Sequence, residues 1–199
     1  RKTVTGDQFV RSGDWAAKGI VTQNWEGMEL RGKTLGIVGF GAIGKAVAQR
    51  AEAFGMKVIY HRRTPDDGCG YRILGDLLAE ADIVSLHTPL TPETRHLIDA
   101  DALAMMKRGA FLVNLARGPV VHETALVDAL KSGQLGGAGL DVFEHEPEVH
   151  PELLTMENVV LTPHLGGATR EARKVARLTA AENVRRVLLG ERPLTPLSR

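Results

Sequence analysis

The apolar, β-type run Leu35-Gly36-Ile37-Val38 passes directly into Gly39-Phe40-Gly41-Ala42-Ile43-Gly44, and a helical pattern follows at once. A strand that meets Gly-x-Gly-x-x-Gly and then a helix predicts the opening βα unit of a parallel sheet. Each glycine has its own task. Gly39 permits a tight turn out of the strand, Gly41 lets the backbone approach a pyrophosphate, and Gly44 lets the new helix pack close to the sheet. The helix N-terminus adds unbonded N–H groups and a partial positive charge. A lone glycine motif is a weak signal, because Gly-rich turns are common. The strand before it and the helix after it favour nucleotide binding over a plain βα turn. The whole segment Gly39, Phe40, Gly41, Ala42, Ile43 and Gly44 is therefore a candidate cofactor contact.

Beyond this unit the pattern alternates. Strands are predicted at Leu35–Val38, Lys57–Tyr60, Ile83–Leu86, Phe111–Asn114, Gly137–Leu140 and Val159–Leu161. Helices are predicted at Ala42–Phe54, Gly75–Ala81, Asp101–Met106, Glu123–Ser132 and Thr169–Leu189, the last closed by Gly190 with Pro193 beyond it. Short apolar strands separated by helices predict an α/β fold with a doubly wound parallel sheet covered on both faces, of Rossmann type. The stretch Glu144–Pro151, with two prolines and three acids, reads as a loop. Residues 1–33 contain no strand; around Phe9–Trp15 they suggest a capped helix followed by an irregular segment. The expected organisation is an N-terminal arm at 1–33, a dinucleotide-binding domain at 34–168 and a C-terminal helix and tail at 169–199.

Composition narrows the function class. With 199 residues, 43% of them hydrophobic, the chain suits one ordinary domain with a full-sized core. A formal net charge of +1 marks no nucleic-acid or membrane surface. No apolar stretch approaches the roughly 20 residues of a membrane span, and the first residues lack the apolar core of a signal peptide. One cysteine, Cys69, excludes an internal disulfide and suits a reducing compartment, so a cytoplasmic location is expected. Cys69 sits in a loop with no evident base beside it. The seven histidines are scattered, without paired cysteines or HExxH spacing, so no metal site is expected.

Four further motifs follow the glycine segment in order: Leu86-His87-Thr88-Pro89-Leu90-Thr91-Pro92-Glu93-Thr94, Asn114-Leu115-Ala116-Arg117-Gly118-Pro119, Gly139-Leu140-Asp141-Val142-Phe143-Glu144-His145-Glu146-Pro147 and Leu161-Thr162-Pro163-His164-Leu165-Gly166-Gly167. Together they closely resemble the D-isomer-specific 2-hydroxyacid dehydrogenases, along essentially the whole chain. The resemblance implies hydride transfer between a nicotinamide cofactor and a small 2-oxo or 2-hydroxy acid. It implies a homodimer. It also implies that this chain is the nucleotide-binding portion, with the N-terminal substrate-binding lobe largely absent and the last helix and Arg192–Arg199 returning toward that lobe.

The chemistry needs a cation for the substrate carboxylate and carbonyl, and a proton donor for the alkoxide. The resemblance places these roles on Arg117, Glu146 and His164. Arg117 follows a strand end, where ligands of open α/β sheets sit, and its planar fork suits a carboxylate. Alone it would read as a surface arginine. His164 follows the last strand and precedes a glycine pair; it would give or take the proton. Glu146 would pair with it and favour its charged form. In isolation Glu146 is one acid of an acidic loop. By resemblance Asp141 contacts the nicotinamide carboxamide, Thr88, Pro89 and Thr94 flank the adenine side and ribose, and Leu115, Ala116 and Gly166, with Arg117 and His164, lie near the nicotinamide. His87 and His96 read as structural, and Trp15 and Trp25 as packing anchors.

Two departures matter. The acid expected roughly 20 positions after the glycines, which would bind the ribose 2′-OH, is absent, and the second strand runs instead into His61-Arg62-Arg63-Thr64. Two arginines and a threonine welcome a 2′-phosphate, so NADP is expected in preference to NAD, with Arg62 and Arg63 as readers and His61 and Thr64 beside them. A solvated basic turn is the plain alternative. This points toward glyoxylate or hydroxypyruvate as substrate, with 3-phosphoglycerate and NAD as the competing pair. Second, His122 stands where the family usually has an aspartate helix cap, a poorer cap with a small stability effect. A different function class also fits: a nucleotide-sensing, protein-binding module like the related corepressors, without turnover.

Overall fold

The apolar run before the glycines forms strand β1 (Thr34–Val38), and it lies inside the sheet rather than at an edge. The structure, a computed structural model, describes residues 2–19 and 25–196. Residues 1, 20–24 and 197–199, which belong to the predicted arm and tail, lie outside the described residues. β1 pairs in parallel with β2 (Lys57–His61) on one side and β3 (Ile83–Leu86) on the other. β4 (Ala110–Asn114), β5 (Leu135–Leu140) and β6 (Val159–Leu161) extend the sheet, all parallel, in the order β2-β1-β3-β4-β5-β6. The chain runs outward from β1 to β2, then crosses back past β1 to β3. That reversal makes a switch point between the carboxyl ends of β1 and β3, where open α/β sheets bind ligands.

Side chains alternate across a strand, so β1 divides its core between two faces. Leu35 and Ile37 pack with Ala48 and Ala51 of α3 (Ala42–Ala53) and with Met56. Val38 joins the larger cluster beneath α4 (Leu74–Glu80), α5 (Ala100–Met105) and α6 (Glu123–Lys131). On that second face, a Cβ on Gly36 would fall 2.6 Å from a Leu77 methyl, so β1 and α4 touch directly. Helices thus pack on both faces, although on the first α3 closes only the part over β1 and β2.

Most expected elements form with ends moved by a residue or two. β5 starts earlier than its apolar run suggests, because Gly136 and Gly137 weaken the strand signal. Packing explains them: added Cβ atoms would lie 2.5 Å from the Gly109 oxygen and 2.6 Å from the Asn158 oxygen. The N-terminal segment differs more. It forms two helices, α1 (Thr3–Arg11) and α2 (Asp14–Lys18), and Gly13 at φ +83° breaks the chain inside the expected Phe9–Trp15 helix. Trp25 packs on Phe9 at 5.0 Å between ring centroids, whereas Trp15 is half exposed and anchors nothing in the core. Two short 3-10 turns, Gly118–Val120 and Pro151–Thr155, were not expected.

The chain divides into two units, Arg1–Thr162 and Pro163–Arg199. The sheet and α1 to α6 belong to the first. The second contains α7 (Arg170–Leu188), whose N-terminus is capped by Thr169 through the Ala172 N–H at 3.0 Å. The segment after α7 folds back on it, with the Leu194 N–H donating to Asn183 Oδ1 at 2.7 Å.

Candidate functional site

The glycine turn leaves β1 at the switch point, and its three glycines stand in three different environments. Gly39 has φ +97°, and an added Cβ would lie 2.6 Å from the His87 oxygen. At Gly44 an added Cβ would lie 2.3 Å from the Gly39 oxygen. Gly41 faces open space, with nothing within 4 Å of its virtual Cβ. Folding alone therefore requires Gly39 and Gly44, while the clearance at Gly41 fits an approaching ligand. Gly41 is also the N-cap of α3 and supplies no side-chain acceptor, so the first N–H groups of that helix await an anion. Ile43 lies beside them with 69% of its surface exposed. Phe40 stacks on Tyr60, centroids 3.8 Å apart.

Across the switch point, His87 and Thr88 follow directly after β3. The Thr88 hydroxyl oxygen is buried and has no hydrogen-bond partner, a costly state that a bound polar group would relieve. His87 Nε2 meets Ser85 Oγ at 2.9 Å, and burial lowers its pKa, which keeps the ring neutral. Thr94 is already engaged: its hydroxyl donates to the Pro89 oxygen at 2.7 Å and accepts the Thr91 N–H at 2.8 Å. Its direct part is to shape the turn that carries Pro89. Open backbone at Gly41, an uncapped α3 and an orphaned hydroxyl at Thr88 together fit a dinucleotide, its pyrophosphate over the glycines.

At the end of β2 the His61 Nδ1–H donates to the Arg72 oxygen at 3.1 Å. Arg62 pairs with Asp66 at 3.1 Å, and Arg63 and Thr64 are exposed.

The carboxyl ends of β4 and β5 carry the next set. The Asn114 amide shapes the β4 turn, accepting the Ala116 N–H at 3.0 Å and donating to the Arg117 oxygen at 3.1 Å. Ala116 is thereby buried, while Leu115 and Arg117 face outward. Arg117 Nη1 donates to the Ala116 oxygen at 2.6 Å. Gly118 explains the tightness here: a Cβ would lie 1.7 Å from the Phe143 oxygen, so the loops after β4 and β5 meet backbone to backbone. Asp141 is buried and accepts the Thr162 hydroxyl. Glu146 is exposed, and its Oε1 accepts the Phe143 N–H at 3.0 Å. Arg117 and Glu146 thus sit on adjoining loops at the carboxyl edge. His164 and Gly166 belong to the second unit, where His164 is exposed with φ +53°.

The described residues contain no group of three or more His, Cys, Asp or Glu able to hold a metal ion, and no helix long and apolar enough to cross a membrane. A groove of about 1460 Å³ lies between α1 and the sheet and is lined by none of the candidate residues.

The family model for the NAD binding domain of D-isomer specific 2-hydroxyacid dehydrogenases matches residues 1–166. The chain belongs to that family. The domain is 50% identical to the glyoxylate reductase of Pyrococcus furiosus, over 98% of this chain and 60% of that protein. It is 44% identical to the D-3-phosphoglycerate dehydrogenase of Methanocaldococcus jannaschii, over 92% of this chain and 35% of that protein. Its fold matches the NADPH-dependent glyoxylate/hydroxypyruvate reductase of Sinorhizobium meliloti in complex with NADP and malonate, with a TM-score of 0.93, 37% identity and coverage of 100% of this chain and 62% of the other. The chain spans about three fifths of the length of the first curated relatives it matches.

Sequence reasoning passed over two groups. Asp66 reaches the end of β2 only through the closure of its loop. Glu144, His96 and Glu123 form a hydrogen-bonded cluster behind the Glu146 loop, in which His96 Nε2 meets Glu144 Oε1 at 2.6 Å. His96 reads as structural from the sequence; its φ of +52°, uncommon for a residue other than glycine, is legible only in the structure.

Proposed function

We propose that this domain is the cofactor-binding half of an NADPH-preferring 2-oxoacid reductase acting on glyoxylate or hydroxypyruvate. The observation that carries the reading is the glycine turn, where Gly41 alone is spared by the packing that fixes Gly39 and Gly44. A bound nicotinamide cofactor supplies the hydride. Arg117 holds the substrate carboxylate and polarises the carbonyl. His164 gives its proton to the developing alkoxide, and Glu146 favours the charged imidazole. Arg63 and Arg62 favour a 2′-phosphate. A substrate-binding lobe outside these 199 residues completes the site, and the enzyme works as a cytoplasmic homodimer. The NADP complex of the Sinorhizobium meliloti reductase and the glyoxylate reductase relative support the cofactor and substrate class. The phosphoglycerate dehydrogenase relative makes 3-phosphoglycerate with NAD the competing pair.

In the enzyme assembled with its substrate lobe, His164→Ala is expected to cut NADPH-dependent glyoxylate reduction by about 100-fold or more, while NADPH affinity changes by less than about twofold. Retained turnover would overturn the assignment of His164. Faster turnover of 3-phosphoglycerate with NAD than of glyoxylate with NADPH would overturn the substrate class.

A further inference from the structure

The end of β2 lacks an acid in sequence, yet it has one in space. Asp66, in the loop after β2, folds back onto the strand end. Its Oδ1 accepts the Tyr60 hydroxyl at 2.6 Å and the Gly68 N–H at 3.0 Å, and its Oδ2 accepts Arg62 Nη1 at 3.1 Å. The loop is built to close this way. A Cβ on Gly68 would fall 2.1 Å from the Tyr60 hydroxyl oxygen, so any larger residue there would have to displace the Tyr60 side chain from Asp66. Tyr60 is held in turn by its stack on Phe40 of the glycine turn and by the edge of Tyr71, 6.2 Å away. The carboxylate is thus tied at three points beside the place where the ribose 2′ position is read. Hydrogen bonding from Tyr60, then from Gly68 and Arg62, outweighs desolvation and lowers its pKa, so it carries full charge at neutral pH.

The two arginines are consequently unequal. Arg62 is engaged by Asp66, while Arg63 is exposed and makes no ion pair within 4.0 Å among the described residues, feeling only a longer-range attraction to the Glu93 carboxylate. We propose that Asp66 is a specificity-determining residue of the cofactor site, which holds Arg62 back and sets a negative charge beside it, so that the preference for a 2′-phosphate rests mainly on Arg63 and NADH remains usable. The inference rests on the nicotinamide-cofactor reading given above. It explains how a strand end with two consecutive arginines can tolerate a free ribose 2′-OH: the acid comes from the loop instead of the strand.

The test is a fluorescence titration of the 199-residue chain with NADPH and with NADH. Asp66→Asn is expected to raise the NADPH:NADH affinity ratio about fivefold, the size of effect that removing one charge beside a phosphate has at surface dielectric, and to steepen the salt dependence of NADPH binding. Tyr60→Phe, which removes one tether and keeps the charge, should move the ratio the same way by less. Adding Arg62→Ala to Asp66→Asn should abolish the gain, because the freed arginine is its source. An unchanged ratio in Asp66→Asn, or a shift toward NADH, would overturn the role of Asp66 and leave the cofactor reading intact. Failure of the unmodified chain to bind either nucleotide would overturn both.

Discussion

A single methyl group separates the roles of the three motif glycines. At Gly44 it would meet the Gly39 carbonyl at 2.3 Å, backbone against backbone, with no flexible side chain to yield. Gly44→Ala is therefore expected to destabilise the domain by about 2 kcal/mol, the usual scale of overpacking. At Gly41 the same methyl meets nothing, so Gly41→Ala should cost no more than about 1 kcal/mol as a changed N-cap. Nucleotide affinity should nevertheless fall at least about tenfold, since each 1.4 kcal/mol is a decade. Urea unfolding and cofactor titration on both variants check this; equal stability losses would remove the distinction. The packing constraints at Gly39 and Gly44 were legible in the sequence because the motif encodes them by spacing. The part of Asp66 and the isolation of the Thr88 hydroxyl were not. Asp66 acts through a loop closure that has no period. The isolation of the Thr88 hydroxyl is a property of its surroundings, which no local pattern records.

At the scale of elements, three loops at the carboxyl edge are tied through one cluster. His96, in the loop after β3, meets Glu144, in the loop after β5. Glu144 Oε2 accepts the Glu123 N–H at 2.9 Å, and its own N–H donates to Glu123 Oε1 at 2.9 Å, which secures the start of α6. His122 caps that helix with Nδ1, accepting the Ala125 N–H at 3.2 Å, and its ring meets His96 edge-on. The sequence placed the strands and helices well because burial imposes their periods. It gave His122 little value as a cap and could not show that the cap belongs to a network spanning three loops. Burial alone would raise the Glu144 pKa, but the Glu123 N–H and the hydrogen bond and charge of His96 outweigh it and hold the carboxyl below the usual range. The unfolded chain then takes up this proton first as pH falls. The stability that Glu144 contributes is present above its unfolded value of about 4.5 and is lost as pH drops through the lower folded value. Thermal melts between about pH 3 and 7 should show Glu144→Gln less stable than the parent near neutrality, with the gap narrowing in acid. A gap that widens in acid would contradict the direction of the shift. Glu146 lies two residues beyond Glu144, so the cluster also steadies the loop that presents it.

At the scale of the molecule, the sheet face opposite α4 to α6 is incompletely covered within the first unit. α3 closes the part over β1 and β2, but beyond it Ile83, Phe111 and Val113 line the groove of about 1460 Å³ beneath α1. α1 buries none of its own residues, and Val4, Val10, Leu154 and the β6 residue Val160 are each about half exposed or more. So much apolar surface around one groove marks an association site more than a solvated exterior. The proposed homodimer gives it an occupant: a second copy laid against the groove, where a stable pair must bury on the order of 1,200–2,000 Å² in total. Val160 sits on the edge strand, where an added charge opposes strand-to-strand and apolar contact alike. The domain is therefore expected to sediment as a dimer at micromolar concentration. Val160→Lys should shift it to monomer without changing nucleotide affinity, because Val160 lies on the far strand from the glycine turn. A monomeric parent would overturn the dimer. A Val160→Lys variant that stays dimeric would place the contact on another face.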